Sequence, residues 1–450
     1  MREQLAGAID RLMPRAKSDL ADLVAIPSVA DPRQYPPEEC RRAAEWVRDA
    51  FAELGFSGLR LAETSDGSLA VLGERPGPEG APTVLLYAHY DVQPPLDEAA
   101  WTSPPFTLTE REGRWYGRGS ADCKGNIVAH LTALRALRDL GEELPVSLKL
   151  VVEGSEEQGT GGLEDYVRSH PEELRADAVL VCDTGNAAVG VPAATVSLRG
   201  VVEVTVRVAA LASEVHSGMF GGAAPDALAA LIRMLATLRD DKGETTVDGL
   251  DHSGVWTGLE YPAEKFRGDA QLLEGVEVLG EGEIADRLWA RPALTVLGID
   301  CPPVVGSAAA VQPRAAARLS LRVPPGADPL SAQDALVTHL ERVAPWGVRL
   351  DIERGSVGAP FLARTDGPAY TALGEAMRDA YGREMALLGA GGAIPLCSAL
   401  AELYPEAEIV LMGVEEPQCL IHAPNESVAP EEISHVALAE ALFLRRYNGS

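Results

Sequence analysis

No stretch of this 450-residue chain is apolar for long enough to cross a bilayer, and its first segment, MREQLAGAIDRLMPRAKSDLADLVAIPSV, lacks the continuous apolar core of a signal peptide. No membrane partner is expected, and a cytoplasmic location is. The six cysteines (Cys40, Cys123, Cys182, Cys301, Cys397, Cys419) form no CxxC pair and no dense framework, which argues against a disulfide scaffold and suits reduced thiols. Positive charge is scarce: 39 Lys and Arg stand against 67 Asp and Glu, a formal net charge of -28. A field of that sign repels phosphate backbones and anionic lipid, so nucleic acid is a poor partner. No repeat or low-complexity tract is present, and the glycines of GTGG and GAGGA do not complete GxGxxG, so a dinucleotide fingerprint is rejected.

What is present is the balance of a globular protein, 46% hydrophobic and 24% charged, in a chain too long for one core to serve. Two domains are expected. Leu5, Ile9, Leu12, Ala16, Leu20, Leu23 and Val24 recur at helical steps, and a second amphipathic helix runs from Cys40 to Leu54. Short apolar runs then alternate with helical segments: Thr83 to Ala88, a helix after Lys124, Ser147 to Val152, and Ala178 to Cys182. That alternation predicts an α/β sheet with helices on both faces. From about Thr195 the texture changes to a strand-rich stretch, a helix from Pro225 to Leu238 with the proline in its first turn, a strand Ala315 to Val323 and a helix Asp334 to Val343. The first pattern resumes near Thr365 with helices Ala369 to Tyr381 and Leu396 to Leu403 and a strand Ile409 to Met412. The expected division is 1–195 with 360–450, and 196–359 as a smaller inserted α/β domain. Residues 241–286, rich in Gly, Asp and Glu, receive little assignment.

Ligands in α/β sheets bind just beyond the carboxyl ends of strands. His89 and Asp91 follow the first apolar run, Glu153, Glu156 and Glu157 the second, Asp183 the third, and a loop after IVLMG leads to His422. Asp122 lies in the turn GRGSADCKGN before a helix. Imidazole and carboxylate together suit zinc, manganese or cobalt, and five candidates suggest two divalent ions sharing a carboxylate. Each residue also has a plainer reading: His89 as a hydrogen-bonded core residue, Asp122 as a helix cap, the Glu156–Glu157 pair as solvated charge, Asp183 as a turn residue and His422 as a surface histidine. The set as a whole favours ligation.

Seven segments in order, YAHYDVQP (Tyr87 to Pro94), GRGSADCKGN (Gly117 to Asn126), EGSEEQGTGGL (Glu153 to Leu163), CDTG (Cys182 to Gly185), HSGMFGG (His216 to Gly222), GGAIP (Gly391 to Pro395) and HAPNES (His422 to Ser427), resemble the M20 family of metallopeptidases, in particular its dipeptidase and carnosinase-like branch. The resemblance runs over nearly the whole chain. It implies a zinc-peptidase-like catalytic domain with a mixed sheet flanked by helices, an inserted lid and dimerisation domain, and a homodimer formed through that lid. It implies two divalent ions, zinc first and manganese or cobalt after it, with His89 and Asp183 on one, Glu157 and His422 on the other and Asp122 bridging. Asp91 is then the carboxylate that orients His89, Glu156 the general base and later acid, and His216 a donor to the oxyanion, in family dimers that of the partner's site. Gly391 and Gly392 are candidate substrate contacts, and Arg322 or Arg199 of the inserted domain is the candidate cation to stand in at the substrate's carboxylate end.

The chain departs from that pattern at Cys123, where an acidic residue is usual, and at Asn126, where proline is common. Gly389 and Ala393 stand where carnosinase-like members carry an arginine and a serine at the substrate's carboxylate end. The leading expectation is hydrolysis of a dipeptide or small peptide by metal-activated water. An N-acyl or N-carbamoyl amino acid amidohydrolase is the alternative, and a catalytically silent metal-binding homologue a second.

Overall fold

The computed structural model describes residues 2–392 and 394–449. They form two compact units: 2–196 with 363–388 and 395–449, and 197–362 with 389–392 and 394.

The first unit is built on a mixed sheet. Its strands run in the order Ser57–Glu63, Leu69–Arg75, Ser147–Glu153, Thr83–His89, Ala178–Cys182, Glu408–Met412, Ala193–Leu198. Neighbours are parallel from Ser147–Glu153 to Glu408–Met412, and antiparallel outside that block. Strands covered on both sides read as unbroken apolar runs, and Ala178–Cys182 and Glu408–Met412 are buried at every position. Helices Arg2–Val24, Lys124–Asp139, Pro368–Tyr381 and Pro430–Arg446 pack together over this sheet. The register sets His89 beside Glu153 and Cys182 beside Met412, so four parallel strands end together. Everything that follows those ends is delivered to one edge.

The second unit is a two-layer α/β fold. Its antiparallel sheet runs Ala293–Asp300, Arg314–Val323, Gly200–Ala209, Arg349–Gly358. In Gly200–Ala209, Val202, Val204, Val206 and Val208 alternate inward and pack with Leu231 and Met234 of helix Ala227–Ala236 and Leu336 and Leu340 of helix Pro329–Val343. Two helix starts differ from the sequence reading. Pro225 precedes the helix, which begins after Asp226, whose carboxylate accepts from the amides of Leu228 and Ala229. The later helix starts five residues before Asp334, because Asp328 caps it and Pro329 fits the first turn. The stretch 241–286 contains the helix Ala263–Asp269, and Trp256, Tyr261, Phe266 and Trp289 pack ring on ring.

Candidate metal centre

Asp122 lies at the middle of the cluster at the sheet edge. Its Oδ1 is 3.0 Å from His89 Nε2 and its Oδ2 3.0 Å from His422 Nε2. His89 Nε2 is also 3.0 Å from Asp183 Oδ1, and His422 Nε2 is 3.1 Å from Glu157 Oε2. One carboxylate thus presents each oxygen to a different imidazole, and each imidazole carries a second carboxylate. The five residues singled out as ligands, His89, Asp122, Glu157, Asp183 and His422, meet at one place although they are spread over more than 300 positions of sequence.

The supporting contacts explain how the edge is held. His89 Nδ1 sits 3.0 Å from the Asp91 carbonyl and 3.3 Å from its carboxylate. The Asp91 carboxylate accepts from the backbone amides of Glu156 (3.2 Å) and Glu157 (3.0 Å). Asp91 therefore orients His89 mainly through its main chain and spends its side chain on the turn that carries the adjacent glutamates. Gln93 completes that turn, donating from its amide group to Glu157 Oε2 at 2.8 Å.

Two residues the sequence reading passed over belong to the site. Glu415, three residues beyond the strand Glu408–Met412, is buried and brings a carboxylate oxygen within 4.8 Å of Asp122 and Asp183. The strand-end rule that found Asp183 applies equally to it. Asn126 accepts from the amide of Val414 at 2.9 Å and donates to Glu415, so the asparagine that replaces a common proline ties the Lys124 helix to that loop. Glu426, fully buried, takes the amides of Gly119 (2.9 Å), Ala121 (3.0 Å) and Asp122 (3.1 Å) and the Arg118 guanidinium (2.8 Å). One carboxylate thereby locks the turn bearing Asp122 to the loop bearing His422. That loop needs locking, since Leu420, His422 and Asn425 all hold positive φ (53°, 62° and 65°), which costs non-glycine residues energy. Glu426→Gln turns two amide hydrogens toward donors and breaks a buried ion pair. We expect a loss of about 3–5 kcal/mol in urea unfolding; an unchanged midpoint would show that the turn holds itself.

Cys123, buried after Asp122, donates its thiol to the Cys182 carbonyl at 2.9 Å and lies in a group with His89 and Asp183. Burial pushes that thiol well up, so it stays protonated.

The electrostatics are lopsided. Asp122, Glu156, Glu157, Asp183 and Glu415 crowd around two imidazoles. Burial opposes ionisation of Asp122, but His422 and His89 overcome it and hold the carboxyl well below its usual range. Burial raises Asp183 and Glu157, the latter helped by the Asp122 charge. Burial resists protonation of His422, yet Asp122 and Glu157 drive it up to about 11. Buried charge of one sign needs counter-charge. The donors are nitrogen and oxygen, the shared carboxylate divides them into two sets, and the residues present fit a pair of divalent cations.

The remaining candidates lie in the second unit. His216 ends the short strand Val215–His216, paired with Ala310–Val311, and is exposed, with Nδ1 accepting from the Gly218 amide at 3.1 Å. Arg322 is partly buried on Arg314–Val323. A Cβ on Gly391 would stand 2.8 Å from Arg199 Nη2, while Gly392 borders open space. Ala393 lies outside the described residues.

Comparison with known proteins meets this geometry. The model of peptidase family M20/M25/M40 matches residues 85–446. The cysteinylglycine-S-conjugate dipeptidase of Corynebacterium striatum is 42% identical over 97% of each chain. The Cys-Gly metallodipeptidase dug1 of Schizosaccharomyces pombe is 28% identical over 95% of this chain and 94% of its own. The crystal structure of human carnosine dipeptidase 1 is similar with a TM-score of 0.84 at 26% identity, covering 99% and 98% of the two chains. The resemblance carried by the seven motifs is borne out over nearly the full length, and the chain belongs to peptidase family M20/M25/M40.

Proposed function

We propose that this chain is a dinuclear-metal dipeptidase that hydrolyses the amide bond of small dipeptides of the cysteinylglycine type, with Glu156 moving the proton. The observation that carries it is Asp122 holding one oxygen toward His89 and the other toward His422. In this reading Asp183 joins His89 on one side and Glu157 joins His422 on the other. Two divalent cations, when bound, supply Lewis acidity that polarises the scissile carbonyl and acidifies water. Asp91 fixes His89 and the Glu156–Glu157 turn together, so base and ligand keep their spacing. Glu156 takes the proton of the attacking water and returns it to the leaving nitrogen. His216 is assigned as donor to the developing oxyanion.

Zinc is the first choice of metal on the nitrogen and oxygen donors. Association through the second unit is supported by Ala293–Asp300, an edge strand that exposes Val296, Leu297 and Ile299. A cytoplasmic location is supported by six cysteines, none of them in a disulfide. The test is hydrolysis, with zinc, manganese or cobalt added, of cysteinylglycine against N-acetylated amino acids. Preference for cysteinylglycine is expected, and preference for the N-acyl compounds would displace the dipeptidase reading.

A pH dependence follows. Without cations His422 keeps its proton up to about 11, above its ordinary 6.5, so metal must displace that proton. Apparent zinc affinity should fall about tenfold per pH unit for each proton displaced as the pH is lowered from 8.5 toward 6.5. Stability of the metal-free protein should run the other way. The contribution of His422 is complete below 6.5 and is lost as pH rises toward 11. Chelator competition and thermal melts at several pH values measure both, and a flat zinc affinity would exclude His422 as a ligand.

A further inference from the structure

The carboxylate of Glu156 lies among the like charges of Asp183, Glu157 and Asp91, against the imidazole of His89, and no group among the described residues donates a hydrogen bond to it. Its place is therefore set by the short turn that carries it. Glu157 is fixed independently, through His422 at 3.1 Å and Gln93 at 2.8 Å. Asp91 holds the turn from one side through the amides of Glu156 and Glu157. Next to the same turn lies a cavity of about 510 Å³, lined in part by Cys40, Arg41, Tyr90, Ser155, Gln158 and Thr160. Close packing does not back the turn there, and a polar clamp takes its place.

That clamp is Asp66, in the hairpin turn between the strands Ser57–Glu63 and Leu69–Arg75. Its Oδ1 serves its own hairpin, accepting from the Thr64 hydroxyl at 2.6 Å and the Ser68 amide at 2.9 Å. Its Oδ2 reaches across to the glutamates' turn, accepting from the Ser155 hydroxyl at 2.7 Å and from the Thr160 hydroxyl. Ser155 directly precedes Glu156, and Thr160 stands three residues after Glu157, so a single oxygen gathers both ends of the segment. Gly159 and Gly161 hold positive φ (57° and 77°), which bends the segment back far enough for both hydroxyls to meet one acceptor. Gly162 lets the carboxylate come close, since a Cβ there would stand 2.5 Å from Asp66 Cγ. Partial burial opposes the charge on Asp66, but the bonds from Thr160, Thr64, Ser68 and Ser155 overcome it and hold the carboxyl well below its ordinary range. The acceptor stays ionised, and hydrogen bonds to an ionised acceptor are the strong ones.

We infer that Asp66 is a positioning residue for the general base: by drawing Ser155 and Thr160 onto one oxygen it keeps Glu156 where proton transfer needs it. The inference rests on the reading of Glu156 given above. Asp66 touches none of the five metal-site residues, so its effect on turnover passes through the turn.

The test uses the full chain loaded with zinc, with cysteinylglycine as substrate. Asp66→Ala should lower kcat by about 10- to 100-fold, since a reacting group displaced by about an ångström costs on that order, while KM and metal content stay at the wild-type values. Asp66→Asn, which keeps one carbonyl oxygen as acceptor, should recover part of kcat. Ser65→Ala is the control for the hairpin. It removes a bond to Asp165 at 2.8 Å and leaves the Asp66 contacts in place, so kcat should not change. The deciding comparison sets Glu156→Gln against the double variant Glu156→Gln with Asp66→Ala. A residue that acts through the base adds less than about twofold once the base is gone, and any larger further loss in kcat overturns the assignment. An unchanged kcat in Asp66→Ala overturns it as well, as does a fall in kcat that only tracks lost metal. Should Glu156→Gln alone keep its turnover, the reading of the base falls and the inference with it. A wild type inert toward cysteinylglycine but active on another amide overturns the substrate reading alone, and the variants are then compared on that amide.

Discussion

Glu156→Gln is expected to lower kcat on cysteinylglycine by about 10²- to 10⁴-fold while metal content and melting temperature stay where they were. The substitution is nearly isosteric and removes only the ability to accept a proton. Glu156 is absent from the groups that bring three ligand atoms together, so its loss leaves the cation contacts intact. Its backbone amide, held by Asp91, is untouched. Burial first, and the Asp183 charge second, push the Glu156 carboxyl well above its ordinary value, the direction that suits a carboxylate which must take a proton and give it back. Glu157→Gln is the control at the neighbouring position. Its carboxylate meets His422 at 3.1 Å and Gln93 at 2.8 Å, so that variant should lose metal as well as turnover. Should Glu156→Gln keep more than about a tenth of the wild-type kcat, proton transfer belongs to another group.

The two glutamates also show what a sequence can and cannot disclose. Glu156 and Glu157 are indistinguishable as letters, but they follow an apolar run, and strand ends are where open α/β sheets place chemistry. The same logic exposes His89 and Asp183 and would have exposed Glu415. Glu426 is different. It stands more than 300 residues from the turn it holds, inside a stretch that reads equally well as a helix cap, and only the folded chain shows that Gly119, Ala121 and Asp122 point their amides at it. The central parallel strands are legible because burial on both sides makes them uniformly apolar. Ser57–Glu63 and Arg349–Gly358 are not, because they lie at sheet edges and their exposed positions carry Arg, Asp and Glu. Between 241 and 286 periodicity fails for another reason. Packing there is done by aromatic rings, two pairs edge to face and Tyr261 stacked on Trp289, with no regular step to reveal it. The tight space at Gly389 is equally hidden, because the Trp289 ring that a Cβ there would meet at 2.4 Å lies a hundred residues earlier in the chain.

Asp122→Ala should have the largest effect on the centre, because Asp122 alone faces both histidines. His89 keeps Asp183, and His422 keeps Glu157, so each half retains two donors after the substitution. Neither half retains the carboxylate that joins them, and the repulsion between Asp183 and Glu157 is no longer bridged by a shared pair of cations. Even partners outside the ligand set commonly cost 10–100-fold in metal affinity, so loss of the shared ligand should weaken binding by more than about 10²-fold at both positions. The variant should emerge from gel filtration with neither ion and with turnover below detection. Asp183→Ala removes a donor from the His89 side only and should keep one ion, the one held by Glu157 and His422. The pattern across the two variants is what discriminates. Loss of both ions from Asp122→Ala but one from Asp183→Ala requires a shared carboxylate, whereas loss of a single ion from each would mean that Asp122 serves one side and that its second short contact is an ordinary hydrogen bond to a histidine.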